Sequence, residues 1–353
     1  MLVIDLQKVR KYIVAIKSLA VKYRPTTFDE VVEQGAIKII LQQQLESEEV
    51  KNAYLFCGGA GTGKTTCARI FANEINKFMG NPIEMDAASN SGVEDVRAII
   101  QQAKTKSLDS EYKIFIIDEC HSISNTGWQA FLKLIEEPPA KSIFIFCTTD
   151  PQKIPKTILS RVQRYDFQRI SYGAVVSRLA YICACEDVSV YDADALGYIA
   201  KLADGGMRDA ITLMDKCLSY HKDLTIENVI KALGITGYDT MFDLTDSIIT
   251  NEVDEVIKTI EDVHRSGKDL KQFIKTYTNF VLDLCKYGCL RTFEFIEIPN
   301  TYKERMDKYN DHAYEDFTRL LNTLVTLNAD IKFDPTPKPT IQATLVLWVA
   351  KDY

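Results

Sequence analysis

No C-x-x-C pair occurs among the nine cysteines, which stand at positions 57, 67, 120, 147, 183, 185, 217, 285 and 289. Zinc ribbons and dithiol redox centres are built on such closely spaced thiolates, so neither is indicated. Cys285 and Cys289 fall on one helix face, but no second pair in register completes a metal set. The scatter reads instead as small buried hydrophobes in a reducing compartment. Membrane-length apolar runs are also missing, because charge interrupts each apolar stretch. Residues 1–18 mix Lys8, Arg10, Lys11 and Lys17 with apolar residues at helical spacing. They lack the separate basic, apolar and cleavage regions of a secretory signal, so a cytoplasmic protein is expected, with no membrane partner. No internal repeat or low-complexity tract is present. An excess of positive charge is absent too: 42 Lys and Arg stand against 49 Asp and Glu, for a net charge of −7. This excludes a uniformly basic nucleic-acid coat and leaves a local contact open.

What the chain does have is length and apolar content. Its 353 residues are 46% hydrophobic, enough for cores in two or three domains. From residue 50 to 170 short apolar runs alternate with helical ones. Strands are expected at Tyr54–Cys57, Ile83–Met85, Ile114–Asp118, Ile143–Thr148 and Arg164–Phe167. Helices are expected at Thr65–Lys77, Val93–Thr105 and Gly127–Glu136. That alternation is the pattern of a parallel sheet covered by helices. After Ser171 strand signals stop. Short helices are expected at Ser171–Asp187, Asp192–Asp204, Met207–Tyr220 and Thr225–Gly234, longer ones beyond 235, and a last one at Ile341–Val349 after a proline-rich turn.

The chemistry starts at Gly58-Gly59-Ala60-Gly61-Thr62-Gly63-Lys64-Thr65, a complete G-x-x-x-x-G-K-T phosphate loop. It lies between an apolar strand and the helical run that continues from Thr66. Glycines let several backbone N–H groups converge on a phosphate chain, and the helix start adds its positive end. Lys64 reaches the β/γ-phosphates and the Thr65 hydroxyl holds Mg²⁺. A second apolar strand ends in Asp118-Glu119. In a phosphate-loop enzyme the first acid holds Mg²⁺ and the second polarises the attacking water; without that context they read as two solvated acids. The strand Ile143–Thr148 ends in Thr148-Thr149, where a hydroxyl orients water or simply caps a turn. From spacing alone Arg161 reads as a surface arginine, with a finger for a neighbour's site as the alternative. Arg208 reads as a rim ion pair with Asp204 or Asp209, with closure on the γ-phosphate as the alternative.

Seven ordered motifs over residues 19–225 resemble the ATPase subunits of bacterial sliding-clamp loaders, the tau/gamma family of DNA polymerase III. They are the run Leu19–Val32 containing Tyr23-Arg24-Pro25, the phosphate loop, Glu84–Arg97 with Asp86-Ala87-Ala88-Ser89, and Asp118-Glu119-Cys120-His121 followed by Leu132–Pro139. Thr148–Pro155, Thr157–Arg161 and Asp204–Ala210 complete the set. Residues 226–353 match only in helical character and the closing turn and helix. The resemblance implies an AAA+ ATPase: an N-terminal extension at 1–18, an α/β nucleotide domain at 19–168, a helical lid at 169–225 and a helical collar at 226–353. It also implies ATP and Mg²⁺, partner loader subunits in a five-membered ring or spiral with self-association, a sliding clamp and primer–template DNA.

By position the resemblance makes Lys64, Glu119, Thr149, Arg161 and Arg208 the catalytic set, with Thr149 a sensor, Arg161 a finger acting in trans and Arg208 a second sensor. Thr65 and Asp118 take the metal. The phosphate loop through Thr66, Arg208, Tyr23, Arg24 and Pro25, with Val32 and Gln34 nearby, take the nucleotide. Ser89, Asn90, Ser91, Arg97 and Lys133 face DNA, and Gln101–Ser110 touches the clamp. Backbone contact carries no base specificity. The chain departs from the family in having no four-cysteine module after the phosphate-loop helix, so no zinc is expected. Val162 follows the finger arginine where cysteine is usual. Tau-type extensions are expected to be absent, which would fit a compact replicon, with the replisome or host cytoplasm as the expected location. Three rivals are a DExH helicase, which needs a second RecA-like domain, a non-hydrolysing structural ring subunit, and a DNA-remodelling AAA+ ATPase.

Overall fold

The computed structural model describes residues 17–107, 109–234, 237–292, 295–299, 302–311 and 314–350. Most of the N-terminal extension, residues 1–16, lies outside them, as does Leu108 within the expected clamp segment.

The described residues form two compact units, those up to 187 with 199–215, and 188–198 with those from 216 onward. The first opens with α1 (Leu19–Lys22) and α2 (Gly35–Glu46). It continues β1 (Ala53–Cys57), α3 (Lys64–Ile75), β2 (Ile83–Asp86), α4 (Val93–Ala103), β3 (Lys113–Asp118), α5 (Asn125–Glu136), β4 (Ser142–Thr148), α6 (Lys156–Leu159) and β5 (Gln163–Asp166). All pairings are parallel, in the order β2-β3-β4-β1-β5. The five expected strands are these five, each within a residue or so at the ends. Every residue of β1 and β4 is buried, because helices cover both faces. Period-two alternation still sorts the side chains. Leu55, Phe115, Ile117, Phe144 and Phe146 enter one core with Val96, Trp128 and Phe131 from α4 and α5. Tyr54, Phe56, Ile114, Ile116, Ile143 and Ile145 enter the other with Leu41 and Phe71 from α2 and α3.

The strand order matters for the site. β4 lies between β1 and β3, so its carboxyl end sits between the phosphate loop and the acidic pair. After β5 come α7 (Tyr172–Cys185), α8 (Ala193–Leu202) and α9 (Met207–Tyr220). The boundary between the two units runs through α8 and α9, so the first turns of α9 belong with the sheet.

The second unit is helical: α10 (Ile226–Leu233), α11 (Tyr238–Ile249), α12 (Val253–Arg265), α13 (Leu270–Leu290), α14 (Lys303–Asp307), α15 (Tyr314–Ile331) and α16 (Pro337–Ala350). Its core includes Phe242, with Phe280 edge-on at 4.8 Å and the Arg305 guanidinium 4.7 Å from the ring centroid. Arg305 in turn bridges Asp243 and Asp246, so the charge over the ring is paired. Among the described residues no second sheet follows β5, which removes the condition a DExH helicase requires. No helix of the described residues is long and apolar enough to cross a membrane.

Candidate nucleotide site

The turn from β1 into α3 builds the anion cradle. Gly58, Gly61 and Gly63 all have positive φ, at 151°, 68° and 101°. Two of these approaches are tight enough to demand glycine. A Cβ on Gly58 would lie 2.5 Å from the Phe167 carbonyl oxygen, and one on Gly61 would lie 2.9 Å from Gly206 Cα. The Lys64 ammonium donates to the carbonyls of Gly58 at 2.8 Å and Gly59 at 2.7 Å. Lys64 is 5% exposed, and burial holds its pKa below the usual lysine value.

β3 delivers the acids. Asp118 Oδ2 accepts from Thr65 Oγ1 at 2.8 Å, while its Oδ1 accepts from the Glu119 N–H at 3.0 Å. Hard oxygen donors so juxtaposed beside a phosphate cradle suit Mg²⁺, which takes one or two protein oxygens and completes its shell with phosphate and water. Glu119 sits in the left-handed region at φ 46°. For a non-glycine residue this costs about 1–3 kcal/mol and turns the side chain out of line with the strand. Its Oε2 accepts from Thr149 Oγ1 at 2.9 Å and lies 3.2 Å from His121 Nδ1.

A single pocket takes in Tyr23, Arg24, Pro25 and Val32 from the N-terminal segment and Ala60 through Thr66 from the loop. It also takes in Asp118 and Glu119 from β3 and Arg208 from the start of α9. The lid closes on the loop through backbone: Met207 N donates to Gly61 O at 3.0 Å. Arg208 lines this pocket, and Asp204 pairs with Arg169. Arg24 carries a lowered pKa, first from burial and then from the like charges of Arg69 and Arg208. A site crowded with cations and backbone donors selects a polyanion.

Gln34 does not line the pocket. It is buried behind the loop, donating to Gln168 O at 2.7 Å and Thr62 O at 3.4 Å and accepting from Gln168 N at 3.2 Å. Arg161 stands apart from its own chain's pocket, after α6. Its Nε contacts Glu136 at 2.8 Å and its side chain is 39% exposed. Ser89, Asn90, Ser91, Arg97 and Lys133 are all exposed on the α4–α5 side. Ser89 donates to Asp86 and Arg97 to Glu94. Cys285 is buried and Cys289 exposed.

Sequence reasoning missed Ala20, Val31, Ile170, Arg178, Met207 and Ile211, which also line the pocket. Arg178 on α7 donates to Tyr23 O at 3.2 Å. No local pattern marks such a residue. Lys22 and Tyr23 both donate to Glu186 at the end of α7, and Leu19 N donates to Asp215, so α1 is tied to the lid helices at three points.

A family model described as "DNA polymerase III, delta subunit" matches residues 81–171, and one described as "DNA polymerase III clamp loader subunit, ATPase lid domain" matches residues 174–222. The DNA polymerase III subunit tau of Bacillus subtilis is 34% identical over 326 residues, 85% of this chain and 58% of its own. Protein STICHEL-like 1 of Arabidopsis thaliana is 30% identical over 321 residues, 84% of this chain and 28% of its own. The chain spans about half the length of the bacterial relatives and about a quarter of the plant ones. The Thermotoga maritima RuvB Holliday junction branch migration motor aligns with a TM-score of 0.50 at 21% identity, over 80% of this chain and 97% of its own, a likeness of fold alone. With the phosphate loop, the acidic strand end and Arg208 gathered in one pocket beside a five-stranded parallel sheet, the chain is similar over most of its length to the tau/gamma clamp-loader subunits of DNA polymerase III.

Proposed function

We propose that this chain is an ATP-hydrolysing subunit of a DNA sliding-clamp loader. ATP binding opens the clamp and engages primer–template DNA, and hydrolysis releases both. The observation that carries the reading is the convergence of Lys64, Thr65, Asp118, Glu119 and Arg208 on one cationic pocket. Phosphate oxygens replace the Gly58 and Gly59 carbonyls as acceptors for the Lys64 ammonium. Thr65 and Asp118 would hold Mg²⁺, which would supply charge neutralisation on the phosphates. Glu119 orients and polarises the attacking water, with Thr149 fixing its carboxylate. Arg208 closes the lid over the γ-phosphate, and Tyr23, Arg24, Pro25 and Val32 surround the nucleoside end.

The exposed Arg161, distant from its own pocket, suits a finger completing the site of a neighbouring subunit. A five-membered ring, collared by residues 226–353, would bring it there. Ser89, Asn90, Ser91, Arg97 and Lys133 then follow a DNA backbone without reading bases. The test is a mixing experiment. Lys64→Ala and Arg161→Ala assemblies are each expected to lose about 10³-fold in DNA-stimulated turnover. Their mixture should regain part of it, since some interfaces then pair an intact loop with an intact finger. Unchanged turnover in assembled Arg161→Ala refutes the trans finger. Failure of the assembly to capture a sliding clamp when ATP is added refutes the loader reading.

A further inference from the structure

Two groups converge on one oxygen of Glu119. Thr149 Oγ1 donates to Oε2 at 2.9 Å, and His121 Nδ1 stands 3.2 Å from the same atom. His121 lies in the short turn Cys120–Ser122 immediately after Glu119, and its Nδ1 is also 3.2 Å from Thr148 Oγ1. Thr148 closes β4, is fully buried, and accepts the Asp150 N–H at 3.0 Å, so it is a fixed anchor. An ionised carboxylate has no hydrogen to offer. Nδ1 thus has two oxygens at 3.2 Å, the Glu119 carboxylate and the Thr148 hydroxyl, and a hydrogen on Nδ1 would be shared between them. Glu119 Oε1 has no hydrogen-bond partner among the described residues, and the residue lines the nucleotide pocket.

We propose that His121, as its Nδ1–H tautomer, is a positioning residue for Glu119: with Thr149 it clamps Oε2 so that Oε1 is presented to the attacking water. This rests on the proposed ATPase reading and adds a residue to it. Glu119 needs such a clamp because its side chain is 36% exposed and leaves a left-handed backbone position rather than a strand. Displacing a water-orienting group by about 1 Å costs up to about 100-fold in rate without touching ground-state binding.

The two ring nitrogens allow a sharp test. Asparagine places its amide nitrogen where Nδ1 stands, whereas glutamine places it where Nε2 stands. In the assembled loader with DNA, His121→Asn is expected to keep kcat within about threefold. His121→Ala and His121→Gln should lower kcat by about 10–100-fold with KM for ATP, ATP affinity and melting temperature unchanged. Wild-type kcat in His121→Ala, equal rates for the Asn and Gln variants, or losses that follow ATP affinity each overturn the proposal.

A second readout needs no turnover. Imidazole ¹⁵N spectra of the full chain should show hydrogen on Nδ1, reverting to the commoner Nε2–H form in Glu119→Ala. An Nε2–H ring in the wild type, with normal turnover, refutes the His121 proposal alone. An assembly that binds ATP without hydrolysing it while His121 keeps Nδ1–H refutes the ATPase reading, and the role in turnover with it.

Discussion

Replacing Gly61 by alanine tests the coupling between the phosphate loop and the lid. Position 61 is unspecified in the G-x-x-x-x-G-K-T pattern, and its neighbour 60 is already alanine. The structure nevertheless demands glycine there. Its φ is 68°, and an added Cβ would meet Gly206 Cα at 2.9 Å, Gly206 C at 3.1 Å and Arg208 N at 3.3 Å. These are backbone atoms that cannot rotate aside, so the start of α9 must retreat by about 0.5 Å or more to restore ordinary contact. The left-handed conformation costs alanine about 1–2 kcal/mol. Loss of the Met207 N to Gly61 O hydrogen bond, 3.0 Å long, adds about 1 kcal/mol. The sum, about 2–3 kcal/mol, lowers the melting temperature of a unit this size by about 5–10 °C. Because Arg208 moves with the helix start, affinity for a fluorescent ATP analogue should fall by about tenfold. Gly59→Ala is the internal control. Its nearest neighbour would be Thr62 Cγ2 at 3.8 Å, an ordinary contact, so stability should stay within about 0.5 kcal/mol. Thermal unfolding and analogue binding measured on both variants decide the matter. Equal melting temperatures for Gly61→Ala and Gly59→Ala would falsify the backbone-contact argument.

Gln34→Ala should cost about 1–3 kcal/mol, because it strips partners from the backbone N–H and C=O of Gln168 at once; a melting temperature equal to wild type contradicts this. Nucleotide binding should weaken as pH rises, beginning below the ordinary lysine value of 10.5, because burial lowers the Lys64 pKa and phosphate binds the charged ammonium. Calorimetry in buffers of different ionisation enthalpy should show proton uptake on binding in that window, and Lys64→Met should abolish it. Glu186 has a pKa below 4.5, held down first by the Lys22 hydrogen bond and then by that of Tyr23. Its stabilising share is complete above about pH 4.5 and disappears as pH falls through the lowered value. Glu186→Gln should therefore flatten the acid limb of the stability–pH curve, and an unchanged limb tells against the tie between α1 and α7.

Local patterns made much of this molecule legible. The five strands could be read because each carries a contiguous apolar run, and burial on both faces of a parallel sheet requires that. Lys64, Thr65, Asp118 and Glu119 could be placed at strand ends because the phosphate loop follows β1 and the acids close β3, where chain direction decides which way the site opens. The break between α8 and α9 could be read from Asp204-Gly205-Gly206, whose turn no continuous helix tolerates.

Other features depended on approach between distant segments, which spacing does not encode. Gly61 must be glycine because Gly206 arrives against it from some 145 residues away. Gln34 proved a brace behind the loop, because its left-handed backbone turns the amide toward Gln168. Arg178 lines the pocket only because α7 packs beside Tyr23, and His121 meets Thr148 only because β4 pairs beside β3. The sequence by itself determined which groups are chemically equipped to handle a nucleoside triphosphate and which strand ends they occupy. The tertiary structure alone decided which of them touch, because the strand order and the backbone contact of the lid set distances that no local periodicity can specify.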